Sequence, residues 1–169
     1  MREHGLHSTK TLIASAKVAA MARRAAEYGV SVNGPVRTDM RRVKERMREV
    51  SDASREAVTR SLDTNENIVF VRGHGRFVGP DAVKVHGEVL RSKRIFVNVG
   101  GRAAKPDMPG VESVPYLDNS SFLALDDLPA HFIIVGGSYI GLEFGQMYRR
   151  FGSEVTISSR SVACRTRMT

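Results

Sequence analysis

The residues whose types and spacing could do chemistry lie in one short turn, which reads Gly-Gly-Ser-Tyr-Ile-Gly from Gly136 to Gly141. Compared with the pattern G-x-G-x-x-G, the turn keeps the first and third glycines and has Ser138 in place of the second. The first glycine allows a tight turn, and the third allows a helix to pack closely on a strand. The second normally lets the backbone approach a pyrophosphate at the helix N-terminus. Serine is small and polar, so we predict a dinucleotide-binding turn, with a generic strand-to-helix turn as the alternative.

The segments on either side of this turn predict the elements that would position it. Residues 132–135 form a short, β-branched apolar run, typical of a fully buried parallel strand. A helix should follow and end at Gly152 in a left-handed cap, and residues 154–157 should form a second strand. The order strand, turn, helix, strand within about 30 residues is that of a dinucleotide-binding βαβ unit. The predicted apolar face of the helix consists of Ile140, Phe144, Met147 and Phe151.

The end of the second strand lacks one expected residue. An acidic side chain there would hold a ribose 2′-hydroxyl, but the sequence continues Ser158-Ser159-Arg160. Arg160 could favour a 2′-phosphate and hence NADP. Residues 158–169 show no hydrophobic period, and we interpret them as an aberrant tail. The choice between NAD and NADP therefore stays open.

Composition and charge limit the classes of protein to be considered. The chain has 169 residues and a formal net charge of +8, with 26 Lys and Arg against 18 Asp and Glu. No nucleic-acid motif accompanies this charge, and no apolar run is long enough for a membrane span. The N-terminus has no signal-peptide pattern, so we expect a cytoplasmic protein that binds neither nucleic acid nor membrane. The single cysteine, Cys164, excludes an intrachain disulfide.

Two amphipathic helices are predicted in the first third of the chain. The first should be capped by Ser8 or Thr9 and should end near Tyr28, before Gly29. Its predicted apolar stripe is Ala14, Val18, Met21, Ala25 and Tyr28. The second should run from Thr38 to about Leu62, with a narrow stripe of Met40, Val43, Met47 and Val50.

Residues 37–60 are rich in arginine and raise the question of an acidic partner. A basic amphipathic helix could bind nucleic acid or an acidic surface. The interspersed acidic residues can instead form ion pairs at i,i+3 and i,i+4, so a solvated face is the favoured interpretation.

The middle of the chain changes to a strand-like period. Residues 68–71, 83–85 and 95–99 are short apolar runs separated by glycine turns, which predicts an antiparallel meander. A loop rich in proline follows and leads into the βαβ unit. We place a first domain at residues 1–125, the βαβ unit at 126–157 and the tail at 158–169.

With these stretches in order, the chain resembles the FAD-dependent pyridine nucleotide-disulfide oxidoreductases, and within them the branch of mercuric reductase and dihydrolipoamide dehydrogenase. The resemblance covers residues 5–157. It implies an α/β fold of the FAD/NAD(P)-binding, Rossmann-like kind, incomplete at both ends, with residues 1–125 as a partial FAD-binding domain. It rests on Gly5 with residues 8–12, residues 73–77, residues 98–102 and the turn from Gly136 to Glu143.

The resemblance also implies cofactors and roles for single residues. FAD and NAD(P) are the expected cofactors, and no catalytic residue is expected, because the two redox-cysteine positions are occupied by Met1 and Leu6. Lys10 would lie beside the flavin and pair with Glu143 in a buried ion pair. Tyr139 would be the aromatic lid between the flavin and the nicotinamide. Gly75 would contact the FAD adenine, and Gly100 would make the second flavin contact. The implied cofactor-binding residues are Lys10, Gly75, Gly100, Gly136, Gly137, Ser138, Tyr139, Ile140, Gly141 and Glu143.

Three functional hypotheses follow from these observations. The first is a piece of an oxidoreductase that passes hydride from NAD(P)H to FAD and on to a disulfide or metal substrate, inactive alone. Members of this family are homodimers, and the resemblance implies that the dimerisation domain is missing here. The second hypothesis is a nucleotide-binding module without catalysis. The third is a basic interaction protein that uses residues 37–60.

Overall fold

The computed structural model describes residues 6–159, which form helices and two small β-sheets. The helices are α1 (Leu6–Arg23), α2 (Met40–Asp63), α3 (Asn119–Ala124) and α4 (Tyr139–Phe151), with short 3₁₀ turns at Ala25–Tyr28 and Val111–Ser113. The strands are β1 (Arg76–Gly79), β2 (Ala82–Val85), β3 (Glu88–Arg91), β4 (His131–Val135) and β5 (Glu154–Ser158).

The chain forms two compact units. One combines the chain up to Ser54 with the chain from Leu117 onward, and the other is Arg55–Tyr116. The three segments proposed as domains from the sequence stay predictions. None of the helices within residues 6–159 combines the length and the apolar character needed to cross a bilayer.

The predicted βαβ unit is present in the first unit. Strands β4 and β5 pair in parallel, with Phe132 opposite Val155 and Ile134 opposite Ile157. Helix α4 connects them and ends at Gly152, whose φ of +125° is readily adopted only by glycine.

Strand β4 is not fully buried, which corrects the prediction made from its apolar run. Its side chains alternate, so that Phe132 and Ile134 are partly buried while Ile133 is 65% exposed. The reason is that, within residues 6–159, this sheet has only two strands, and α4 packs on one of its faces. The apolar character of residues 132–135 therefore suggested more burial than the strand has.

Aromatic side chains form the centre of the first unit. The Phe122 ring stacks on Phe144 at 4.3 Å between centroids, and it lies 4.8 Å from the Tyr148 ring. Phe132 of β4 stacks on Tyr148 at 5.2 Å. On α4, Met147 and Phe151 are buried as predicted, whereas Ile140 is exposed. Tyr148, which the predicted stripe omitted, is fully buried.

The buried face of α1 differs from the predicted stripe. Ser8, Leu12 and Ala16, spaced four residues apart, are buried, whereas Val18 is 68% exposed. Helix α1 packs against α4, and the small side chain of Ala16 allows a close approach between helices. The other predicted stripe residues are Ala14, Met21, Ala25 and Tyr28, none of which is buried.

The N-terminal cap predicted for α1 is also wrong. Ser8 and Thr9 both lie inside the helix, because Leu6 and His7 already have helical backbone. The Ser8 hydroxyl instead lies 2.9 Å from the Ser51 hydroxyl of α2. Helix α1 ends at Arg23, before the predicted end near Tyr28, and Gly29 instead closes the following 3₁₀ turn with φ +74°.

Helix α2 buries a lysine in its apolar stripe. Met40 and Met47 are buried as predicted, Val50 is exposed, and Lys44 is 0% exposed between the two methionines. The Lys44 Nζ donates to the Leu123 carbonyl oxygen at 3.0 Å, in the last turn of α3. A cation is favourable there because the C-terminal carbonyls of a helix carry partial negative charge. Burial lowers the pKa of Lys44 to about 8, although the carboxylate of Asp126 opposes this change.

The second unit contains the predicted antiparallel meander, in the order β1-β2-β3. Of the three predicted runs, only residues 83–85 lie in a strand, namely β2. Residues 68–71 and 95–99 are not strands and are mostly exposed, with Val69 and Phe96 each 89% exposed. A segment with strand propensity forms a strand only when a neighbouring strand pairs with it. Neither run has such a neighbour among the described residues.

Lys44 gives the stability of the protein a defined pH dependence. The pKa of Lys44 is about 8 in the folded chain, below its ordinary value of 10.5. Between these values the unfolded chain binds a proton that the folded chain has released, so the free energy of unfolding should rise with pH. Lys44→Met should remove this rise.

The measurement is chemical denaturation at several pH values between 7 and 10. Lys17→Met, at an exposed position of α1, is the matched control and should follow the unsubstituted protein. Parallel pH curves for Lys44→Met and the unsubstituted protein would contradict this account of Lys44.

Candidate dinucleotide-binding site

The glycine-rich turn joins the carboxyl end of β4 to α4. Gly136 has φ +120°, and its N–H donates to the Ser158 carbonyl oxygen at 2.7 Å, which ties the turn to β5. A side chain is disfavoured at this φ, so the glycine is required by backbone conformation. The turn therefore lies at the edge where parallel strands of an α/β sheet bind their ligands.

Gly141 and Gly145 allow α4 to lie close to the sheet. A Cβ atom on Gly141 would lie 2.6 Å from the Gly136 carbonyl oxygen and 3.2 Å from Ile134 Cγ2. One helical turn later, a Cβ on Gly145 would meet side chains of Ile157, Ile134 and Val155 at 3.1 to 3.3 Å. The close approach was predicted from the sequence for Gly141 but not for Gly145. The spacing of four between the two glycines is the signal that would have found it.

The N-terminus of α4 is open to a ligand. Ser138 is the N-cap residue, with extended backbone, and its side chain makes no capping hydrogen bond. The first N–H groups of a helix have no partner within the helix, and they carry partial positive charge. No acidic residue lies in the first turn of α4, and Ser138, Tyr139 and Ile140 are exposed. This arrangement suits an anionic group such as a pyrophosphate.

Lys10 and Glu143 form the predicted ion pair but do not form it in a buried position. Lys10 Nζ on α1 donates to Glu143 Oε1 on α4 at 2.7 Å, and the two side chains are 53% and 35% exposed. A pair with this exposure contributes roughly 0–1 kcal/mol to stability. The loss of either partner would therefore strand no buried charge, in contrast to the expectation made from the resemblance.

Ser159 lies beside the turn, just after the end of β5. A Cβ atom built on Gly137 would be 3.1 Å from both Cβ and Oγ of Ser159. Residues 158 and 159 are both serine, so no carboxylate is present at the end of β5 within the described residues. Arg160, which could favour the 2′-phosphate of NADP, lies outside the described residues.

The remaining predicted positions belong elsewhere in the molecule. Gly75 and Gly100 lie in the second unit, whereas the turn and Lys10 belong to the first. Gly75 precedes β1 and lies beside Val83, since a Cβ on it would be 3.3 Å from Val83 Cγ1. Gly100 has φ +71° with open space around it.

The two positions that match the redox cysteines of the resembled family are Met1 and Leu6, so neither supplies a thiol. Met1 lies outside the described residues and Leu6 is the first residue of α1. In the part of the chain that the structure describes, no group of three or more His, Cys, Asp or Glu residues could hold a metal ion.

Comparison with known proteins identifies the family. The sequence profile of the pyridine nucleotide-disulphide oxidoreductases matches residues 4–168. The chain belongs to this family. Its members use FAD and NAD(P)H, and the predicted family and fold class are thereby confirmed.

Relatives and solved structures agree with this assignment. Dihydrolipoyl dehydrogenase of Acholeplasma laidlawii is 33% identical over 158 residues, which are 91% of this chain and 47% of the relative. Mercuric reductase of Bacillus cereus is 36% identical over 91 residues, 54% of this chain and 14% of the relative. The flavoprotein disulfide reductase RclA of Escherichia coli superposes with a TM-score of 0.73 and 32% identity, covering 90% of this chain and 32% of that one. The chain thus spans less than half the length of each of these proteins.

The close contact at Gly141 should make the free energy of unfolding sensitive to substitution of this glycine. Gly141→Ala should lower the free energy of unfolding by about 1–3 kcal/mol, because the added methyl group would meet the Gly136 carbonyl, which is backbone and cannot rotate away. Gly145→Ala should cost less, because the ends of three flexible side chains face it and alanine favours the helix.

Urea denaturation of the two variants would measure both effects. An equal or smaller loss for Gly141→Ala than for Gly145→Ala would contradict the close approach described here.

Proposed function

We propose that the turn from Gly136 to Gly141 binds the pyrophosphate of NAD(P)H, in a chain that serves hydride transfer from NAD(P)H to FAD. The observation that carries this proposal is the exposed N-terminus of α4, which has no side-chain cap and no acidic residue in its first turn. An anion there would accept hydrogen bonds that the helix leaves unmade. The membership of the chain in a family that uses both cofactors supports the proposal.

Each of the predicted cofactor-binding residues has a distinct part in this proposal. The N–H groups of the first turn of α4 and the Ser138 hydroxyl would hold the pyrophosphate, and Ser159 would face the ribose. Lys10, held by Glu143, would place its ammonium beside the flavin, and Tyr139 would cover the nicotinamide side. Gly75 and Gly100 would contact FAD. When both cofactors are bound, they supply the redox chemistry, with hydride leaving NAD(P)H and reaching the flavin.

We propose no step through a thiolate in this chain. The positions that match the family's redox cysteines are Met1 and Leu6, and neither side chain can form a thiolate. This substitution favours the second candidate, a nucleotide-binding module without disulfide reduction. A flavin absorbance spectrum, recorded after FAD has been added and the excess removed, separates the two candidates, since only the first should retain FAD.

The proposal of a basic interaction surface receives less support. Arg42 on α2 pairs with Glu49 at 2.8 Å and with Glu45 at 3.5 Å. Arg48 pairs with Asp126. These contacts partly neutralise the basic face of the helix within the protein, although of the three pairs only Arg42–Glu45 has the i,i+3 or i,i+4 spacing of the favoured interpretation.

Substitution of Ser138 tests the pyrophosphate site without removing the helix. Ser138→Asp should weaken NADH binding at least tenfold, because it places a carboxylate where the pyrophosphate would bind. The same change should maintain or raise the melting temperature, because aspartate is a favourable N-cap residue. Ser138→Asn is the matched control, with a similar shape and capping ability and no charge, and it should bind NADH more tightly than Ser138→Asp.

The measurements are NADH titration by calorimetry and thermal unfolding. Equal affinity in Ser138→Asp and Ser138→Asn would overturn the proposed site. A lower melting temperature in Ser138→Asp would mean instead that the variant disturbs the helix.

Ser159 should influence the choice between the two dinucleotides. Ser159→Asp introduces a carboxylate that can accept a hydrogen bond from the ribose 2′-hydroxyl of NADH and that repels the 2′-phosphate of NADPH. The ratio of NADPH to NADH dissociation constants should therefore rise by about tenfold or more relative to Ser159→Asn, equivalent to ~1.4 kcal/mol. Titration of both variants with both nucleotides measures this ratio, and an unchanged ratio would place the ribose away from Ser159.

A further inference from the structure

The hairpin between β2 and β3 carries an unusual residue at its tip. The two-residue loop is His86-Gly87, with φ +50° at His86 and φ +95° at Gly87. Two-residue hairpin loops with positive φ at both positions favour Asn-Gly, Asp-Gly or Gly-Gly. His86 is the only described residue other than glycine that has positive φ. Such a residue calls for an explanation in terms of what its side chain does.

The imidazole of His86 reaches a neighbouring backbone carbonyl. Its Nε2 lies 2.8 Å from the Arg72 carbonyl oxygen. A carbonyl can only accept a hydrogen bond, so Nε2 must carry a proton and donate it. The hairpin tip is thereby joined to a segment 14 residues earlier in the chain.

Gly73 provides the space for this contact. A Cβ atom on Gly73 would lie 2.5 Å from His86 Nε2 and 2.5 Å from Val85 Cγ1, so any side chain at position 73 would displace the imidazole. The imidazole and the glycine are therefore fitted to each other. Two residues later, Gly75 lies close to Val83 of the same strand.

The segment that His86 contacts has few other restraints. The backbone from 68 to 75 forms no strand or helix, and residues 68–75 are exposed. The guanidinium of Arg72 pairs with Asp63 at 2.7 Å and lies over the Phe70 ring at 5.0 Å. These contacts restrain the Arg72 side chain, whereas the His86 hydrogen bond restrains the main chain at the point where Gly73 begins.

We propose that His86 is a positioning residue that holds the backbone of Gly73–Gly75 in place for the adenine of FAD. The proposal rests on the proposed function, because Gly75 is assigned to the adenine by resemblance alone. The segment suits a flat ring, since Gly73 and Gly75 have no side chains and both residues are exposed. A segment fixed before binding loses less conformational entropy when the ligand binds, and affinity rises accordingly.

Two substitutions of His86 separate this role from a role in the turn alone. Asparagine tolerates positive φ better than histidine, but its shorter side chain cannot reach the Arg72 carbonyl. Glutamine can place its amide N–H near the position of Nε2, but it does not favour a backbone with positive φ. If His86 served only the conformation of the turn, His86→Asn should resist cleavage and bind FAD at least as well as the unsubstituted protein. His86→Gln should then do both less well. The positioning role predicts the reverse order.

The first readout is tryptic cleavage of the bond between Arg72 and Gly73. The carbonyl of that bond is the acceptor of the His86 hydrogen bond, so the contact must break before cleavage. His86→Asn should be cut about fivefold faster than the unsubstituted chain, the factor expected for one hydrogen bond, with cleavage after Arg91 as the internal reference. His86→Gln should be cut at nearly the unsubstituted rate. The ¹⁵N shifts of the His86 ring should also show a proton on Nε2.

The second readout is FAD affinity, measured by quenching of flavin fluorescence on titration with the full chain. His86→Asn should bind FAD about fivefold more weakly, and His86→Gln should bind it as the unsubstituted chain does. Faster cleavage of His86→Gln than of His86→Asn would overturn the contact. Equal FAD affinity in proteins that differ in cleavage would overturn the positioning role and leave the proposed function intact. No FAD binding by the unsubstituted chain would overturn the FAD part of the proposed function and the positioning role together.

Discussion

The close approach of α4 to β4 and β5 is the contact on which the first unit depends. It depends most on Gly141, because the Gly136 carbonyl oxygen occupies the space that a Cβ would need, while a Cβ on Gly145 would meet only side chains of the sheet. The approach brings Met147, Tyr148 and Phe151 against the sheet and against α3, where they meet the other rings of the core. It also points the N-terminus of α4 along the edge at which β4 and β5 end. Packing and the candidate binding site thus have the same structural cause.

Local signals in the sequence predicted the elements that form over short distances. The βαβ unit, the end of α4 at Gly152 and the length of α2 follow from apolar period and glycine position, and each agrees with the structure. The turn from Gly136 to Gly141 could be located in the same way, because its function depends on backbone conformation and on the absence of side chains. The family resemblance, which the profile match confirms, added the cofactors that these patterns cannot specify.

Features that depend on distant parts of the chain were predicted less well. The buried face of α1 is decided by how closely α4 approaches it, so small residues such as Ala16 are buried while Val18 is not. Lys44 was grouped with the solvated basic residues, although its spacing from Met40 and Met47 placed it in the apolar stripe. Only the position of the Leu123 carbonyl, 79 residues away, explains why a lysine can be buried there. The apolar runs at 68–71 and 95–99 have the composition of strands, but pairing depends on a neighbour that the run itself does not specify.

We propose that the N-terminus of α4 binds a pyrophosphate. Amide chemical shifts measured during titration with ADP-ribose would test this binding directly. ADP-ribose carries the pyrophosphate and lacks the nicotinamide, and a chain of 18.6 kDa is suited to this measurement. We expect the largest chemical-shift changes at the amides of residues 137–141, with smaller changes at Ser158 and Ser159. Saturable shifts confined to other parts of the chain, or no shifts at millimolar ligand, would contradict it.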